Sequence, residues 1–304
     1  MNNTGPTLSE NRTTYDLHIH SHWSYDATLS VAEIFEKASA YNLKTIAITD
    51  HHHLDSLTEI NMISKQYPEI NCIPSAEFTV TTSIGSVDLL CYGFPKELDN
   101  DTKKIVDKYH LWQQETGMTT VRGLQALGFK YTDDDWHNLL KSYRPQKVFP
   151  VQGYTHVMGR VEREYFLKNS FIQEEKERGE LYEKMNEKIN RPLYPRVEEV
   201  IPTLKQAGAL VVIAHPFGYF NKNDLKRMDR LKAECDLDGI ECAHPSIPPE
   251  FTPFYREYCK RNNLLSTAGT DCHISTLLEA RLGRHIGSED WCKELLEKLN
   301  HKNC

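Results

Sequence analysis

Several features that the sequence lacks exclude whole classes of protein. No segment of the 304 residues approaches the roughly 20 consecutive apolar residues that a membrane-spanning helix requires. The stretch from Met1 to Thr14 is polar and lacks the apolar segment of a secretory signal, so we expect residues 1–13 to form a flexible tail. With a net charge of −7, the chain has no excess of basic residues, and we expect neither membrane association nor stable nucleic-acid binding.

Paired cysteines and the common nucleotide and hydrolase motifs are also absent. None of the eight cysteines belongs to a CxxC pair, and Cys72, Cys91 and Cys242 lie within apolar, strand-like runs. We therefore expect reduced, buried cysteines and a cytoplasmic protein. The sequence contains no P-loop, no GxSxG motif and no Rossmann glycine pattern after a strand, which argues against the chemistry that each of these supports.

Short apolar runs predict the fold class. Most of these runs are continuous, as in strands that are covered on both faces, and most are followed by amphipathic helices. Alternation of strand and helix favours an α/β fold with a parallel sheet, and seven units favour a closed or nearly closed barrel over an open doubly wound sheet. The seven predicted strands are Tyr15–His20, Lys44–Thr49, Ile70–Pro74, Val87–Tyr92, Ala209–Ala214, Gly239–Cys242 and Leu264–Ala268.

One long segment interrupts this alternation. Between about Pro95 and Pro195 the sequence is polar and mostly helical in pattern, without a convincing strand, and it is too long for an ordinary loop. We predict a barrel domain formed by residues 14–95 and 196–304, with residues 96–195 inserted as a helical cap that selects the substrate.

Side chains that bind metals occur at or near the C-terminal end of every predicted strand. His18 and His20 are two residues apart on one strand and therefore point to the same face. A single such residue is more often structural or a helix cap. The strand ends of a β/α barrel, however, meet at one rim, and all seven predicted strands carry such a residue there, which favours a metal site. The residues concerned are His18, His20, Asp50, His51, Glu77, Asp88, His215, Glu241, Asp271 and His273.

Five short motifs contain most of these candidate ligands. They are DLHIHS at 16–21, ITDHH at 48–52, SAEF at 75–78, AHP at 214–216 and GTDCH at 269–273. In order and spacing they resemble the motifs of the PHP (polymerase and histidinol phosphatase) superfamily, over residues 14–95 and 196–288. The resemblance implies a distorted (β/α)7 TIM-like barrel that binds two or three divalent metal ions (Mn, Fe or Zn). It also implies hydrolysis of phosphoesters by attack of a metal-bound hydroxide.

The same resemblance assigns the metal ligands. One ion would be bound by His18, His20, Glu77 and Asp271; a second by Glu77, as the bridging ligand, with His215 and Asp88; and a third by Asp26, His51 and His273. Glu77, His215 and Asp271 would act in catalysis through metal-bound water. Asp88 stands where many members have histidine, and a carboxylate favours Mn²⁺ or Fe²⁺ over Zn²⁺. Asp16, Asp50 and Glu241 are expected to orient these ligands without binding the metal ions directly.

Four further residues are candidates for substrate binding. His156 and Arg160 are four apart in YTHVMGRVERE, so on a helix they would share a face and grip a phosphate, although a solvated helix face is an equally good interpretation. His244 follows the sixth predicted strand, and Arg281 follows GTDCH.

The predicted activity is hydrolysis of a small phosphorylated metabolite. A cap favours a compact ligand such as a nucleotide or sugar phosphate, including bisphosphates and cyclic phosphates. Histidinol-phosphate phosphatase is the nearest alternative. A 3′–5′ exonuclease is a further alternative, disfavoured because the sequence offers no run of basic residues along which a nucleic-acid strand would bind. An amidohydrolase-type deaminase is disfavoured by Glu77 as a bridging ligand and by the Asp50-His51 pair, and a non-catalytic metal-binding protein is the remaining alternative.

Overall fold

The computed structural model describes residues 11–302 and contains one seven-stranded sheet, curled into a nearly closed barrel. The strands are β1 (Tyr15–Ile19), β2 (Thr45–Ile48), β3 (Asn71–Thr82), β4 (Gly85–Tyr92), β5 (Leu210–Ile213), β6 (Gly239–Ala243) and β7 (Leu265–Ala268). They pair in sequence order, and an isolated bridge between Ile19 and Cys272 brings the two edges together. The predicted α/β barrel is confirmed, and the open sheet is excluded.

The direction of β4 differs from the prediction of a parallel sheet. β4 runs antiparallel to both β3 and β5. β3 continues to Thr82 and returns through a two-residue turn into β4, so no helix separates these strands, and Glu77 lies within β3 instead of following it. Because β4 is reversed, its N-terminal half, including Asp88, lies at the rim where the parallel strands have their C-terminal ends.

Twelve helices belong to the described residues. The first begins at the predicted capping box, in which Ser30 Oγ accepts a hydrogen bond from Glu33 N (3.1 Å) and the Glu33 carboxylate accepts one from Ser30 N (2.8 Å). None of the helices in this part of the chain combines the length and apolar character that a membrane crossing needs. They are α1 (Val31–Ala40), α2 (Leu57–Ile63), α3 (Asn100–Ala126), α4 (Asp133–Lys141), α5 (Phe149–Gln152), α6 (Gly159–Lys168), α7 (Glu177–Asn186), α8 (Val197–Gln206), α9 (Leu225–Glu234), α10 (Thr252–Arg261), α11 (Ser275–Arg281) and α12 (Glu289–Lys302).

The apolar side chains form two clusters. The larger one surrounds the barrel strands and the helices packed on them. The smaller one belongs to the segment between β4 and β5, where α3 to α7 bury residues such as Leu124, Trp136 and Phe166. Phe149 contacts both clusters. The helices of this segment thus have a core of their own, and its function as a substrate-selecting cap stays a prediction.

A buried arginine joins the inserted segment to the loop after β1. Arg144 is 3% exposed, and its guanidinium donates hydrogen bonds to Trp23 O (2.8 Å), Thr155 Oγ1 (2.8 Å) and Gln152 Oε1 (2.5 Å). Next to it, Tyr143 Oη donates to the backbone oxygen of Tyr25 (2.6 Å). These bonds offset the cost of burying a guanidinium and hold the insertion against the barrel rim.

The N-terminal tail and the cysteines complete the description. Most of the predicted tail, residues 1–13, lies outside the described residues. Arg12 and Thr13 are bonded to the barrel, because Arg12 Nη1 donates to Leu282 O (2.5 Å) and Thr13 N donates to Gly283 O (2.8 Å). The seven cysteines within residues 11–302 are free thiols, six of them buried and Cys72 partly buried.

Candidate metal centre

Four side chains converge at the rim of the barrel. The Nε2 atoms of His18 and His20, on and directly after β1, lie 3.0 Å apart. Glu77 Oε2 lies 3.0 and 3.2 Å from these two nitrogens, and Asp271 Oδ1 lies 3.3 and 3.2 Å from them. Ligand atoms that are each about 2.1 Å from one cation lie roughly 3.0–3.4 Å from one another, so this set fits the coordination shell of a single metal ion.

The two oxygens of Glu77 face different histidines. Oε2 faces His18 and His20, whereas Oε1 lies 3.2 Å from His215 Nε2. The same His215 nitrogen lies 3.8 Å from Asp88 Oδ2, and Glu77, Asp88 and His215 together form a second group able to hold a cation. The position of Glu77 therefore suits a carboxylate that bridges two ions.

His20 also belongs to a third group of candidate ligands. His20, His51 and His273 offer nitrogen atoms close enough to share an ion, and the rings of His51 and His273 lie 4.4 and 4.0 Å from that of His20. Asp26 Oδ2 lies 3.5 Å from His51 Nε2 and 3.4 Å from His273 Nε2. Within the described residues, the buried Asp26 Oδ1 has no hydrogen-bond partner, which leaves it available to a ligand.

Glu241 lies behind the first group and orients two of the histidines. Its Oε1 is 3.0 Å from His18 Nδ1, and its Oε2 accepts a hydrogen bond from the backbone nitrogen of His215 at 2.6 Å. When His18 Nδ1 donates to this carboxylate, the lone pair on Nε2 is left for a cation. The orienting role of Glu241 stays a prediction, and these two contacts are the ones by which it would act.

Asp50 and Asp16 occupy similar positions behind the ligands. The Asp50 carboxylate accepts hydrogen bonds from Ser21 N (2.6 Å), Ser21 Oγ (2.8 Å) and Ser24 Oγ (3.2 Å), and the Ser24 hydroxyl lies 3.2 Å from His20 Nδ1. Asp16 accepts from Thr270 N (3.0 Å) and Oγ1 (2.6 Å). Both carboxylates therefore use their oxygens to fix the loops that carry the ligands.

The backbone is constrained where it presents these ligands. His215 and Asp271 have φ angles of 28° and 51°, in a region that side-chain-bearing residues seldom adopt. Gly269 packs so closely on β1 that a Cβ atom there would lie 2.2 Å from His18 Cβ and 2.6 Å from His18 N. Only glycine fits at position 269 while His18 keeps its place.

The electrostatics of the centre favour bound positive charge. Burial alone would lower the pKa of His215, but its hydrogen bond to Glu77 and the charge of Glu77 raise it to about 9. Burial likewise opposes protonation of His273, whose pKa the charges of Asp26 and Asp271 raise to about 10. The donor set of imidazoles and carboxylates fits Mn, Fe or Zn, and a divalent cation would take the place of these protons.

The predicted substrate-binding residues are spread over the structure. Residues 154–158 are not helical and α6 begins only at Gly159, so the prediction that His156 and Arg160 share a helical face is wrong. The ring of His156 contacts that of Tyr25 (centroids 3.8 Å apart), whereas half-exposed Arg160 lies 3.8 Å from Glu164. Arg281 ends α11, and no hydrogen bond or ion pair joins its side chain to the described metal ligands.

His244 lies against the first group of ligands. Its Nε2 is 3.4 Å from Asp271 Oδ2, and its Nδ1 accepts a hydrogen bond from Ser246 N at 3.0 Å. Since Nδ1 is an acceptor there, the neutral imidazole carries its proton on Nε2, the atom that faces the centre. His244 is therefore placed to donate a hydrogen bond from Nε2, and together with His18 and Glu241 it also belongs to a further group of side chains able to hold a cation.

A cavity of about 540 Å³ between the inserted helices and the rim contains residues that the sequence analysis missed. Its wall includes Trp112 and Tyr194, whose rings stack at 4.0 Å. Arg191 lies over the Tyr182 ring (4.1 Å to its centroid) and donates to Thr120 Oγ1 (3.3 Å), with no carboxylate partner among the described residues. These residues form no local motif, so only the folded chain identifies them. The cavity is lined by Tyr25, Trp112, Thr116, Thr120, His156, Val157, Gly159, Glu162, Arg178, Gly179, Tyr182, Arg191, Pro192 and Tyr194.

Comparisons with known proteins agree with the barrel fold. A protein from Bifidobacterium adolescentis, described as a candidate metal-dependent phosphoesterase, matches with a TM-score of 0.69 and 22% identity over 97% of both chains. An amidohydrolase from Chromobacterium violaceum, solved with bound sulfate and no metal, has a TM-score of 0.72 and 18% identity, over 95% of this chain and 97% of that one. At such identities both show the fold alone, and no curated protein matches the sequence. The family model of the PHP domain matches residues 16–194, more than half of the chain, which therefore belongs to the PHP domain family.

Proposed function

We propose that the protein is a metal-dependent phosphoesterase that hydrolyses a small phosphorylated metabolite. The observation that carries this proposal is the convergence of His18, His20, Glu77 and Asp271 within 3.0–3.3 Å, with Glu77 extending to His215. Divalent cations bound there would neutralise phosphoryl oxygens and lower the pKa of bound water. The convergent side chains would hold these cations in place.

The cavity beside the centre supports a nucleotide or sugar phosphate as the substrate. Tyr25 belongs to the cavity wall, and its ring lies 5.5 Å from that of His51, so the cavity adjoins the metal ligands. The Trp112–Tyr194 pair offers an aromatic surface on which a planar ring can stack. The Arg191 guanidinium, without a carboxylate partner in the described part of the chain, suits a second negative group, as in a bisphosphate.

His244 would contribute to phosphate binding. Its Nε2–H faces the carboxylate of Asp271 at 3.4 Å, at the edge of the first group of ligands. A phosphoryl oxygen held at this centre would accept a hydrogen bond from that nitrogen. The proton stays on Nε2 because Ser246 N occupies the other ring nitrogen.

A screen for phosphate release tests the proposal. Purified protein with added Mn²⁺ is incubated with nucleotides, nucleoside bisphosphates, cyclic phosphates, sugar phosphates and histidinol phosphate. We expect turnover of at least one compact phosphoester and its loss with a chelator. Release of ammonia from purines without release of phosphate would identify a deaminase instead, and preferential cleavage of oligonucleotide ends would identify an exonuclease.

Substitution of the metal ligands provides the matching genetic test. His18→Ala and Asp271→Ala each remove one atom of the convergent set, so both variants should lose activity and bound metal, measured by elemental analysis. Arg160→Ala, on the exposed face of α6, is the control that should retain both. Unchanged turnover in the first two variants would reject the site.

A further inference from the structure

Asp88, the carboxylate that replaces the commoner histidine, is held on both sides by hydroxyl groups. Thr79 is its partner across the β3–β4 pair, and Thr79 Oγ1 donates a hydrogen bond to Asp88 Oδ1 at 2.5 Å. Tyr219 Oη donates to Asp88 Oδ2 at 2.6 Å. Each carboxylate oxygen thus has one donor and keeps lone-pair capacity for a further partner.

The direction of these hydrogen bonds identifies a third member. The single proton of the Thr79 hydroxyl is donated to Asp88, so Thr79 Oγ1 must accept from His52 Nε2, which lies 2.8 Å away. His52, Thr79 and Tyr219 form, with Asp88, what we call the Asp88 network. The Asp88 carboxylate is the final acceptor of this network, since Thr79 and Tyr219 both donate their hydrogen bonds to it.

His52 is itself rigidly placed. Its backbone nitrogen donates to Glu77 O at 2.7 Å, and its φ of 69° lies in the left-handed region. Its ring stacks on Tyr109 (centroids 5.2 Å apart, planes within 7°), and Tyr109 Oη donates to the backbone oxygen of Thr79 at 2.7 Å. Helix α3 therefore holds both His52 and Thr79 from the side of the insertion.

The Asp88 carboxylate faces the other two members of the second group, Glu77 and His215. Its Oδ2 lies 3.8 Å from His215 Nε2, and both residues can share an ion with Glu77. We infer that the Asp88 network fixes this carboxylate as a ligand for an oxygen-preferring divalent cation such as Mn²⁺. Thr79, Tyr219 and His52 are then positioning residues, and the inference rests on the proposed function.

The test measures metal binding and does not depend on turnover. Tyr219→Phe and Thr79→Val each remove one hydroxyl donor while keeping most of the side-chain shape. Partners of metal ligands typically affect metal affinity about 10–100-fold, so we expect Mn²⁺ to bind at least about 10-fold more weakly at one site, by isothermal titration calorimetry of the full-length metal-depleted protein. The remaining sites should keep their affinity.

Two control variants match these substitutions. Tyr258→Phe removes a tyrosine hydroxyl that donates to Asp229 at the same distance of 2.6 Å, between α10 and α9, and should leave every Mn²⁺ affinity unchanged. Thr79→Ser retains the donor and should bind Mn²⁺ like the wild type. Circular dichroism verifies the fold, and Tyr219→Phe alone decides the question if Thr79→Val does not fold.

The outcomes separate this inference from the proposed function. If both Tyr219→Phe and Thr79→Val bind Mn²⁺ with wild-type affinity and stoichiometry, the network does not position a ligand, even though the wild type hydrolyses phosphoesters. A wild type that binds Mn²⁺ and shows the network dependence but releases no phosphate would support the inference and contradict the proposed activity. A wild type that binds no divalent cation would overturn both.

Discussion

At the scale of single residues, the geometry of the metal centre depends on side chains that hydrogen-bond to the candidate ligands from behind them. Glu241 is fully buried and spans His18 Nδ1 and the backbone of His215. We predict that Glu241→Gln reduces metal affinity about 10–100-fold, because the amide is a weaker acceptor for the His18 proton. Elemental analysis after dialysis against a series of free-metal concentrations measures the change, and wild-type metal content throughout that series would contradict it.

Gly269 is constrained by its contact with β1. A methyl group at this position would lie 2.2 Å from His18 Cβ, so Gly269→Ala must displace His18 or the loop before Asp271. We predict loss of bound metal together with a lower melting temperature. Gly179→Ala is the matched control, since no atom lies within 4 Å of the added carbon and alanine in a helix is favoured by up to about 1 kcal/mol.

Arg191 is the cation that we expect to recognise the substrate. Because it lacks a carboxylate partner in the described part of the chain and lines the cavity, Arg191→Ala should raise KM for a phosphorylated substrate by about 10-fold or more. Steady-state kinetics compare it with Arg160→Ala, whose side chain lies beside Glu164. A larger KM effect for Arg160 than for Arg191 would restore the sequence-based assignment.

At the scale of elements, all seven strands were predictable from the sequence, but the direction of β4 was not. A continuous apolar run shows that a strand is buried, but it carries no information on which way the strand runs. The candidate ligands could be proposed from the sequence because histidines and carboxylates recur where the predicted strands end. Thr79 and Tyr219 were not, since isolated hydroxyl residues are common and only their contacts with Asp88 distinguish them.

The attachment of the insertion is a second element-scale feature. Arg144 is buried and bonded to Trp23 O, so Arg144→Ala should lower the melting temperature and loosen the loop that carries Asp26. Hydrogen exchange of residues 21–29, followed by mass spectrometry, should increase in this variant. Arg122→Ala, on the exposed surface of α3, should leave both quantities unchanged.

At the scale of the whole molecule, the centre links stability to pH. In metal-free protein the pKa values of His215 and His273 are raised to about 9 and about 10, above the usual 6.5. Their contribution to stability is therefore fully present below about pH 6.5 and is lost as the pH rises through these values. We predict that the metal-free protein becomes less stable between pH 7 and 10, as measured by urea denaturation at each pH.

Bound metal should change that dependence. A divalent cation takes the place of the imidazole protons, so the metal-loaded protein should show a flatter profile over the same pH range, and metal binding should release protons. Calorimetric titration of Mn²⁺ in buffers of different ionisation enthalpy counts those protons. Identical pH profiles with and without metal would contradict the assignment of these histidines.

The closure of the barrel between its first and last strands has a consequence for biosynthesis. Asp271 N donates to His18 O at 2.8 Å, so residues more than 250 positions apart in the sequence belong to one candidate cation site. A ribosome-bound chain that has not yet emerged past Asp271 holds only part of that site. We therefore expect this group to bind metal only after the chain as far as Asp271 has been synthesised and folded.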